Sequence, residues 1–245
     1  MTFRSYPREK DNSLAFRLTW RMYYLIRKLL PPKSLLKILL QSIWTLNAIT
    51  WEQARFFERD SGVSSKPDLL RPRNVSDAIS GVGVSDLVCD FGGGLGDISD
   101  ALLRIGSRVV YCDTSILFQE HVSQRFINFP DFSVKSPQDV LEGREGRFNL
   151  TILSHVLEHI DSPADFLNKI SKVSEKVHIE VPDLRSDSLN FVRMELDLPI
   201  YKDEDHVTEM SIDFLEELIE NCNFTVDSIV SRDGCLVAKA TSITV

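Results

Sequence analysis

The segment from Leu87 to Ser99 constrains this chain more than any other, because a run of glycines directly follows an apolar stretch that ends at Asp90. The glycines are Gly92, Gly93, Gly94 and Gly96. An amphipathic pattern begins immediately after them, so this order predicts a buried strand, a tight turn and a helix N-terminus. Glycines let the backbone approach a ligand closely, and free N–H groups at a helix start bind polar groups. We therefore expect a ligand-binding loop here.

The spacing of these glycines argues against a dinucleotide ligand. The fingerprint G-x-G-x-x-G, begun at Gly92, needs a third glycine at position 97, where this chain has Asp97. The Asp90 carboxylate would repel a pyrophosphate, whereas it suits an ammonium or sulfonium group. The pattern D-x-G-x-G-x-G resembles the first motif of the class I S-adenosylmethionine-dependent methyltransferases. A plain tight turn between a strand and a helix is the structural alternative.

Strand-like and helix-like segments alternate after this loop, which is typical of a parallel sheet with helices on both faces. The helix-like segments are 95–106, 115–127, 137–143, 163–174 and a last one capped by Ser211. The strand-like runs are Arg108–Cys112, Phe132–Lys135, Phe148–Ser154, Lys176–Val181, Phe224–Val230 and Cys235–Ala240. The last two flank Ser231–Gly234, a hairpin signal. We expect an α/β fold with a seven-stranded, mostly parallel, doubly wound Rossmann-like sheet and a C-terminal antiparallel hairpin, the layout that the resemblance also implies.

Residues 1–66 lie outside this alternation, so we expect an added N-terminal helical segment before a methyltransferase domain at 67–245. Its helix candidates, separated from the domain by a short linker at Ser61–Lys66, are Leu14–Leu30, Lys33–Ile49 and Trp51–Arg59. Residues 14–49 combine basic stripes with broad apolar faces: Arg17, Arg21 and Lys28 fall within about 40° of one another on a helical wheel.

Three interpretations of residues 14–49 stay open. In the resembled family such helices commonly cover the active site, so they form a lid here, or a surface between two copies of a homodimer. The third interpretation is a segment that lies in a membrane interface. No apolar run reaches the length of a membrane span, and the charged N-terminus does not fit a secretory signal. We expect a cytoplasmic protein, with peripheral membrane contact under the third interpretation.

Two further acids extend the expected cofactor site. Asp113 ends the second strand, where a carboxylate can accept both hydroxyl groups of an adenosyl ribose; capping the next helix is its alternative. Asp139 matches the acid that the resembled family sets against the adenine amino group, and an acid at a helix start is its alternative. The expected cofactor is S-adenosylmethionine. The residues expected to hold it are Asp90, Gly92, Gly93, Gly94, Gly96, Asp113, Thr114, Asp139, Val140, Ser154 and His155.

The segment Arg147–Pro163 carries a second motif, which ends in S-H-V-L-E-H-I-D-S-P. It resembles the fourth-strand motif of the methyltransferase branch that includes ubiquinone-type O-methyltransferases and sugar and glycan methyltransferases. Those chains read F-D-L-V and then L-E-H-h-x-D-P, so Asn149 stands in place of the usual Asp. Together with the glycine loop, the resemblance covers residues 70–240.

A hydroxyl acceptor is helped by a general base with a pKa near neutrality, and histidine is the usual choice. His155 lies one residue past the expected end of the fourth strand, where parallel sheets place their ligands. We expect His155 or His206 to be the base, and we group Glu158 with them in the catalytic set. A hydrogen-bonded structural histidine is the alternative for each.

The spacing H-x-x-E-H also suggests two metal sites. An inverted zinc-protease helix is excluded, because the motif directly follows a core strand of the expected fold. A small-RNA 2′-O-methyltransferase family and some quinone O-methyltransferases hold Mg²⁺ with E-x-x-E-H and a distant histidine. Glu158, His159 and His206 match three of those ligands, while His155 replaces the first glutamate. We nevertheless expect no metal, because in most of the resembled branch this segment packs beneath the cofactor.

The net charge of −8 is unevenly distributed, since residues 1–50 carry nine Lys or Arg against two acids, or +7, and the rest carries −15. A body this acidic disfavours long nucleic acids as partners, and with them RNA methylation. The four cysteines are widely spaced without a C-x-x-C pair, which predicts reduced core residues.

We expect an enzyme: an S-adenosylmethionine-dependent methyltransferase that O-methylates a small molecule, a sugar or a glycan precursor. The first alternative is a membrane-associated methyltransferase of a lipid-linked or quinone-like acceptor. The second is a non-catalytic interaction protein that keeps the fold. The residues expected to select the acceptor are 183–210 and the N-terminal helices.

Overall fold

The computed structural model describes residues 14–61, 71–198, 200 and 205–244. Its α-helices are α1 (Leu14–Leu29), α2 (Pro32–Ser61), α3 (Arg71–Ala78), α4 (Asp97–Arg104), α5 (Ile116–Arg125), α6 (Pro137–Leu141), α7 (Pro163–Val173), α8 (Leu189–Glu195) and α9 (Ile212–Glu220). Short 3₁₀ helices span Leu157–His159 and Leu184–Ser186. The strands are β1 (Leu87–Phe91), β2 (Arg108–Cys112), β3 (Phe132–Val134), β4 (Leu150–Ser154), β5 (Lys176–Pro182), β6 (Phe224–Arg232) and β7 (Cys235–Ser242).

The seven strands form one sheet in the order β3-β2-β1-β4-β5-β7-β6. Strands β1 to β5 run parallel, and β7 lies antiparallel between β5 and β6. The order reverses direction between β1 and β4, and open α/β sheets bind ligands at the carboxyl ends of the strands beside such a point. The predicted fold is confirmed.

Each face of the sheet has its own apolar core. Val88, Val109 and Ile152 point to one face and pack with residues of α3, α4 and α5. Cys89, Leu153 and Ile179 point to the other face and pack with residues of α7 and α9. Successive residues of each strand therefore alternate between two buried faces, which is why these strands are continuously apolar in sequence.

The N-terminal helices differ from the prediction in one respect. The two segments expected on either side of Thr50 form a single helix, α2. Thr50 Oγ1 donates to the Leu46 carbonyl at 2.7 Å, so its polar side chain is satisfied within the helix. Most of the predicted linker at 61–66, and the predicted domain boundary at 66–67, lie outside the described residues. That boundary stays a prediction.

Two short helices, α3 and α8, were not predicted: α3 has a polar sequence, and the seven residues of α8 are too few to establish an apolar periodicity. The hairpin is tighter than expected: β6 and β7 extend to Arg232 and Cys235, so Asp233-Gly234 alone forms the turn. Their φ angles of 53° and 87° are those of a type I′ turn, which suits the twist of two paired strands.

The expectation that the cysteines are core residues is confirmed for three of the four. All four are free thiols, and Cys89, Cys112 and Cys222 are buried, while Cys235 is partly exposed. Among the described residues, no helix combines the length and apolar character needed to cross a membrane.

Candidate active site

The glycine loop between β1 and α4 is packed on one side and open on the other. A Cβ atom at Gly93 would lie 2.6 Å from Tyr111 Cε2 and 2.7 Å from the Asp90 carboxylate, so only glycine fits there. At Gly94, whose φ is +52°, an added Cβ would meet no described atom within 4 Å. The Gly94 carbonyl accepts a hydrogen bond from Tyr111 Oη at 2.7 Å. The loop backbone is thus held in place by Tyr111 and has open space beside Gly94, where a ligand can approach it.

The flanking glycines tie the loop to its neighbours. Gly92 donates its N–H to the Cys112 carbonyl at 2.7 Å, which joins the ends of β1 and β2. Gly96 is the N-cap residue of α4, whose first turn carries Asp97 and Asp100. A Cβ at Gly96 would lie 2.9 Å from the Phe126 ring, so the helix packs closely against α5 and its C-cap.

Asp90 lies beneath the loop and is 1% exposed. Its Oδ2 accepts hydrogen bonds from the hydroxyl of Ser99 at 2.6 Å and from the Ser99 N–H at 3.1 Å. Burial raises the pKa of Asp90 to about 6; the bonds from Ser99 oppose this shift, and the charge of Asp113 adds to it. The carboxylate therefore holds the first turn of α4 against the loop. Its predicted action on a cationic ligand stays a prediction.

Asp113 follows β2 and connects the loop to the next helix. One oxygen, Oδ2, accepts the N–H of Gly94 at 3.1 Å, and Oδ1 accepts the N–H of Ser115 at 2.8 Å. The N-cap of α5 is Ser115, so Asp113 is not the capping residue of this helix. Each carboxylate oxygen accepts more than one hydrogen bond, which leaves capacity for ribose hydroxyl groups. Thr114 is exposed beside it.

The predicted adenine contacts, Asp139 and Val140, lie at the start of α6. Asp139 accepts a hydrogen bond from the hydroxyl of Ser136, the N-cap, and pairs with Arg144. The hydroxyl of Ser136, together with the charges of Arg144 and Lys135, lowers the pKa of Asp139 against a smaller effect of desolvation. Val140 is buried, and its N–H donates to the Ser136 carbonyl. These contacts organise the helix start, and the contact with adenine stays a prediction.

His155 follows β4 with a φ of +57°, a left-handed conformation that is uncommon outside glycine. Its Nδ1 lies 3.1 Å from Glu158 Oε1, and its Nε2 lies 3.8 Å from Glu180 Oε1. Ser154 donates its hydroxyl to Glu180 Oε2 at 3.2 Å. Burial lowers the pKa of His155, but its hydrogen bonds with Cys235 and Glu158, and the charges there, raise it to about 10. The imidazole is therefore protonated near neutral pH.

His206 lies close to this group although it is 47 positions from His159 in the sequence. Its Nδ1 lies 2.8 Å from Glu209 Oε1, and its ring meets that of His159 edge to face at 4.8 Å between centroids. The loop that carries His206 is anchored because Val207 donates its N–H to the Glu158 carbonyl at 2.8 Å. The predicted set of Glu158, His159 and His206 is thus brought together, with one ligand atom of each within 4.8 Å of the others.

Sequence reasoning missed four residues that complete this edge of the sheet. Ser99 and Glu209 hold Asp90 and His206, while Glu180 and Cys235 surround His155. The register provides a signal for one of them: Glu180 pairs with Ser154 near the carboxyl end of a parallel strand, where ligands bind. Ser99 and Glu209 contact residues close to them in sequence but belong to no recognised motif, and the approach of Cys235 to His155 depends on tertiary structure.

The family model of a methyltransferase domain matches residues 63–229. The chain belongs to this family of methyltransferases. The match confirms the prediction of a methyltransferase, and the finer resemblance to the ubiquinone-type and sugar or glycan branch stays a prediction. No curated protein matches the sequence at a significant level.

Solved structures of methyltransferases share the fold. Magnesium protoporphyrin IX methyltransferase (ChlM) from Synechocystis PCC 6803, with SAH bound, aligns with a TM-score of 0.56 at 13% identity, over 84% of this chain and 99% of that chain. The CurJ carbon methyltransferase aligns with a TM-score of 0.51 at 12% identity, over 69% and 52% of the two chains. CalO1, a methyltransferase in calicheamicin biosynthesis, also SAH-bound, aligns with a TM-score of 0.52 at 18% identity, over 71% and 54%.

The chain thus spans about half the length of the CurJ and CalO1 chains. At these identities the similarity establishes the fold alone. CurJ is named a carbon methyltransferase and ChlM a magnesium protoporphyrin IX methyltransferase, so the shared fold does not specify an acceptor.

Proposed function

We propose that this chain transfers a methyl group from S-adenosylmethionine to a hydroxyl group of a small molecule, a sugar or a glycan precursor. The observation that carries the proposal is the loop that is open at Gly94 directly beside the Asp113 carboxylate. When bound, the cofactor supplies a methyl group activated by a sulfonium. The backbone at Gly94 would contact the cofactor, and Asp113 would accept from the ribose hydroxyl groups.

The protein's own part in such a reaction is to position the acceptor and to remove its proton. Of the two predicted bases, we propose His206, because Glu209 holds its Nδ1 and fixes the orientation of the ring. A carboxylate that binds one imidazole nitrogen leaves the other to accept a proton, as in catalytic triads. His155, with a pKa of about 10, keeps its proton near neutral pH and would donate a hydrogen bond instead.

Isothermal titration of the full chain with S-adenosylmethionine and with SAH tests cofactor binding, with NAD⁺ as the competing ligand. We expect one site for each adenosyl ligand and none for NAD⁺. Binding of NAD⁺ without binding of SAH would overturn the proposal. Saturable SAH binding, with no transfer of tritiated methyl groups to aqueous or lipid extracts, would instead favour the non-catalytic alternative.

The base is tested by His206→Gln, with the exposed His121→Gln as the matched control. We expect the first variant to lower kcat by about 10²-fold or more with little change in SAH affinity, because a base acts on the acceptor. The control should retain both. An unchanged kcat in His206→Gln would remove this histidine from the mechanism.

A second observation favours an acceptor held at a membrane surface. Among the described side chains of α1 and α2, thirteen large apolar ones are more than a third exposed, and Leu29 reaches 81%. Exposed Arg21, Arg27 and Lys28 lie among them, and residues 1–50 of the chain carry a net charge of +7. Apolar residues with interspersed cations suit the interface of an anionic bilayer better than free solvent. We propose that α1 and α2 bind anionic lipid, which would give access to a lipid-linked acceptor.

Flotation with vesicles of phosphatidylcholine, with and without phosphatidylglycerol, tests this contact. Leu29→Glu should lose flotation, whereas Ile127→Glu, changed at a similarly exposed position (77%) beyond α5, should keep it. Equal flotation of the two variants would contradict the proposal. A concentration-dependent dimer that Leu29→Glu dissociates, without any flotation of the native chain, would assign the surface to a second copy.

A further inference from the structure

Three metal-ligating side chains meet at the carboxyl edge of the sheet without having been predicted as a set. His155 follows β4, Glu180 lies in β5, and Cys235 begins β7. One ligand atom of each lies within 4.8 Å of the other two. The three come from adjacent strands, so the sheet itself fixes their spacing.

The ring of His155 is oriented toward the centre of this cluster. Its backbone N–H donates to the Glu180 carbonyl at 2.8 Å, and Glu158 lies 3.1 Å from Nδ1. The remaining nitrogen, Nε2, lies 3.8 Å from Glu180 Oε1. A carboxylate on one imidazole nitrogen, with the other nitrogen directed at a ligand cluster, is the usual support of a metal-binding histidine.

The distance between His155 and Glu180 suits a bridging cation better than a direct hydrogen bond. At 3.8 Å, His155 Nε2 and Glu180 Oε1 are beyond hydrogen-bonding distance. Two ligands of a tetrahedral zinc ion lie about 3.4 Å apart, given metal–ligand bonds of about 2.0–2.1 Å. If these two side chains moved slightly closer together, both could therefore bind one zinc ion.

The charges around the cluster also favour a cation. Glu158 and Glu180 are 1% and 2% exposed, and both face the same imidazole. Glu158 Oε2 has no hydrogen-bond partner among the described residues. Buried carboxylates are costly unless a positive charge lies beside them. Either the proton of His155 or a metal ion that displaces this proton from Nε2 can supply that charge.

We propose that His155, Glu180 and Cys235 bind one divalent ion of the zinc type. Sulfur and imidazole ligands select Zn²⁺ over Mg²⁺ or Ca²⁺, and three protein ligands leave a fourth position open. Because His155 is 44% exposed, the cluster is accessible from solvent. Metal binding at this cluster does not depend on the proposed methyl transfer. Only a role of the open coordination position in holding the acceptor would rest on that proposed function.

Titration of the full chain, freed of metal by a chelator, with Co²⁺ tests the site. We expect one Co²⁺ per chain, displaced by Zn²⁺, with a sulfur-to-cobalt charge-transfer band in the near ultraviolet. Cys235→Ser should abolish that band and weaken Co²⁺ binding at least tenfold, whereas Cys222→Ser, which changes a buried thiol in another part of the fold, should keep both. His155→Gln should weaken binding to a similar extent, with circular dichroism as the check on folding.

Two outcomes would overturn the proposal. Saturable Co²⁺ binding without a charge-transfer band, lost in His159→Gln but kept in Cys235→Ser, would assign the ion to Glu158, His159 and His206. Absence of saturable binding by the native chain would mean that these residues hold no metal ion. A parallel titration with SAH separates these results from a failure of the proposed cofactor site, since it needs no metal.

Discussion

The N–H of Gly94 donates to Asp113 Oδ2 at 3.1 Å, so the loop glycine whose added Cβ would meet no described atom is bonded to the carboxylate after β2. The same carboxylate accepts the N–H of Ser115 through Oδ1. Two backbone segments that would surround a nucleoside are therefore fixed relative to each other before any ligand binds. Preorganisation of this kind lowers the entropic cost of binding.

Asp113→Asn should weaken SAH binding at least tenfold, which corresponds to about 1.4 kcal/mol. The amide offers only one acceptor oxygen for two backbone N–H groups and carries no charge for ribose hydroxyl groups. Isothermal titration measures the affinity. Asp131→Asn, an exposed acid at the opposite edge of the sheet, is the matched control and should bind SAH as the native chain does. Equal affinities of the two variants would show that Asp113 has only a local structural role.

Comparison of Gly94→Ala with Gly146→Ala should distinguish a loss of ligand binding at the loop from a general cost of backbone strain. Gly94 and Gly146 both have positive φ angles, +52° and +86°, and neither would meet a described atom within 4 Å of an added Cβ. Each substitution should therefore lower the free energy of unfolding by a similar amount, about 1–2 kcal/mol. Only Gly94→Ala should also lose SAH affinity. If Gly146→Ala weakens binding equally, the loss reflects stability and the open side of the loop is not a ligand surface.

Most of the sheet was predictable because its strands are short apolar runs separated by turn residues, a pattern that local sequence carries. The order β3-β2-β1-β4-β5-β7-β6 was not predicted, since strand order depends on contacts between distant residues. Helix α3 was not predicted because its polar sequence has no apolar stripe. It is tied to the sheet by a polar contact, the ion pair between Asp77 and Arg232 of β6.

The positions of candidate site residues were predictable where one segment contains both the residue and its signal. Gly94 and Asp113 are examples, because the glycine spacing and the strand end are visible in sequence. The pairing of His206 with Glu209 is also local, yet its relevance depends on the contact with His159 across 47 positions. Cys235 begins an antiparallel strand that closes beside β5, so its approach to His155 follows from tertiary structure alone.

Asp90→Asn should change how stability depends on pH. The folded-state pKa of about 6 lies above the ordinary value of 3.8, so the folded protein binds this proton more readily than the unfolded chain does. The buried charge therefore destabilises the fold above about pH 6, and the penalty disappears toward about pH 4. Relative to the native chain, the variant should gain on the order of 3 kcal/mol between about pH 4 and about pH 7.5. Urea unfolding at the two pH values measures this, and parallel curves would contradict it.

His178→Phe should change the pH dependence of stability in the opposite direction over the same pH range. His178 is 1% exposed, and neither ring nitrogen has a hydrogen-bond partner among the described residues. Burial, followed by the charge of Lys239, lowers its pKa to about 4. Below about pH 6.5 this histidine binds a proton in the unfolded chain but not in the folded protein. The free energy of unfolding therefore decreases as the pH falls toward about 4. Near neutral pH, removing two unpartnered nitrogens should be neutral or stabilising by about 1 kcal/mol.

At about pH 4 the Phe variant should gain a further 3 kcal/mol or so over the native chain, because it has no proton to exclude. His178→Leu guards against overpacking by the larger ring, and the exposed His121→Gln should show neither effect. A loss of stability in both His178 variants at neutral pH would mean that the ring nitrogens are hydrogen-bonded, for example by water.

Since Asp90 and His178 shift stability in opposite directions between about pH 4 and about pH 6, their effects partly cancel in the native chain. The double variant should therefore depend less on pH in this range than either single variant, and non-additive values would indicate that the two buried groups interact.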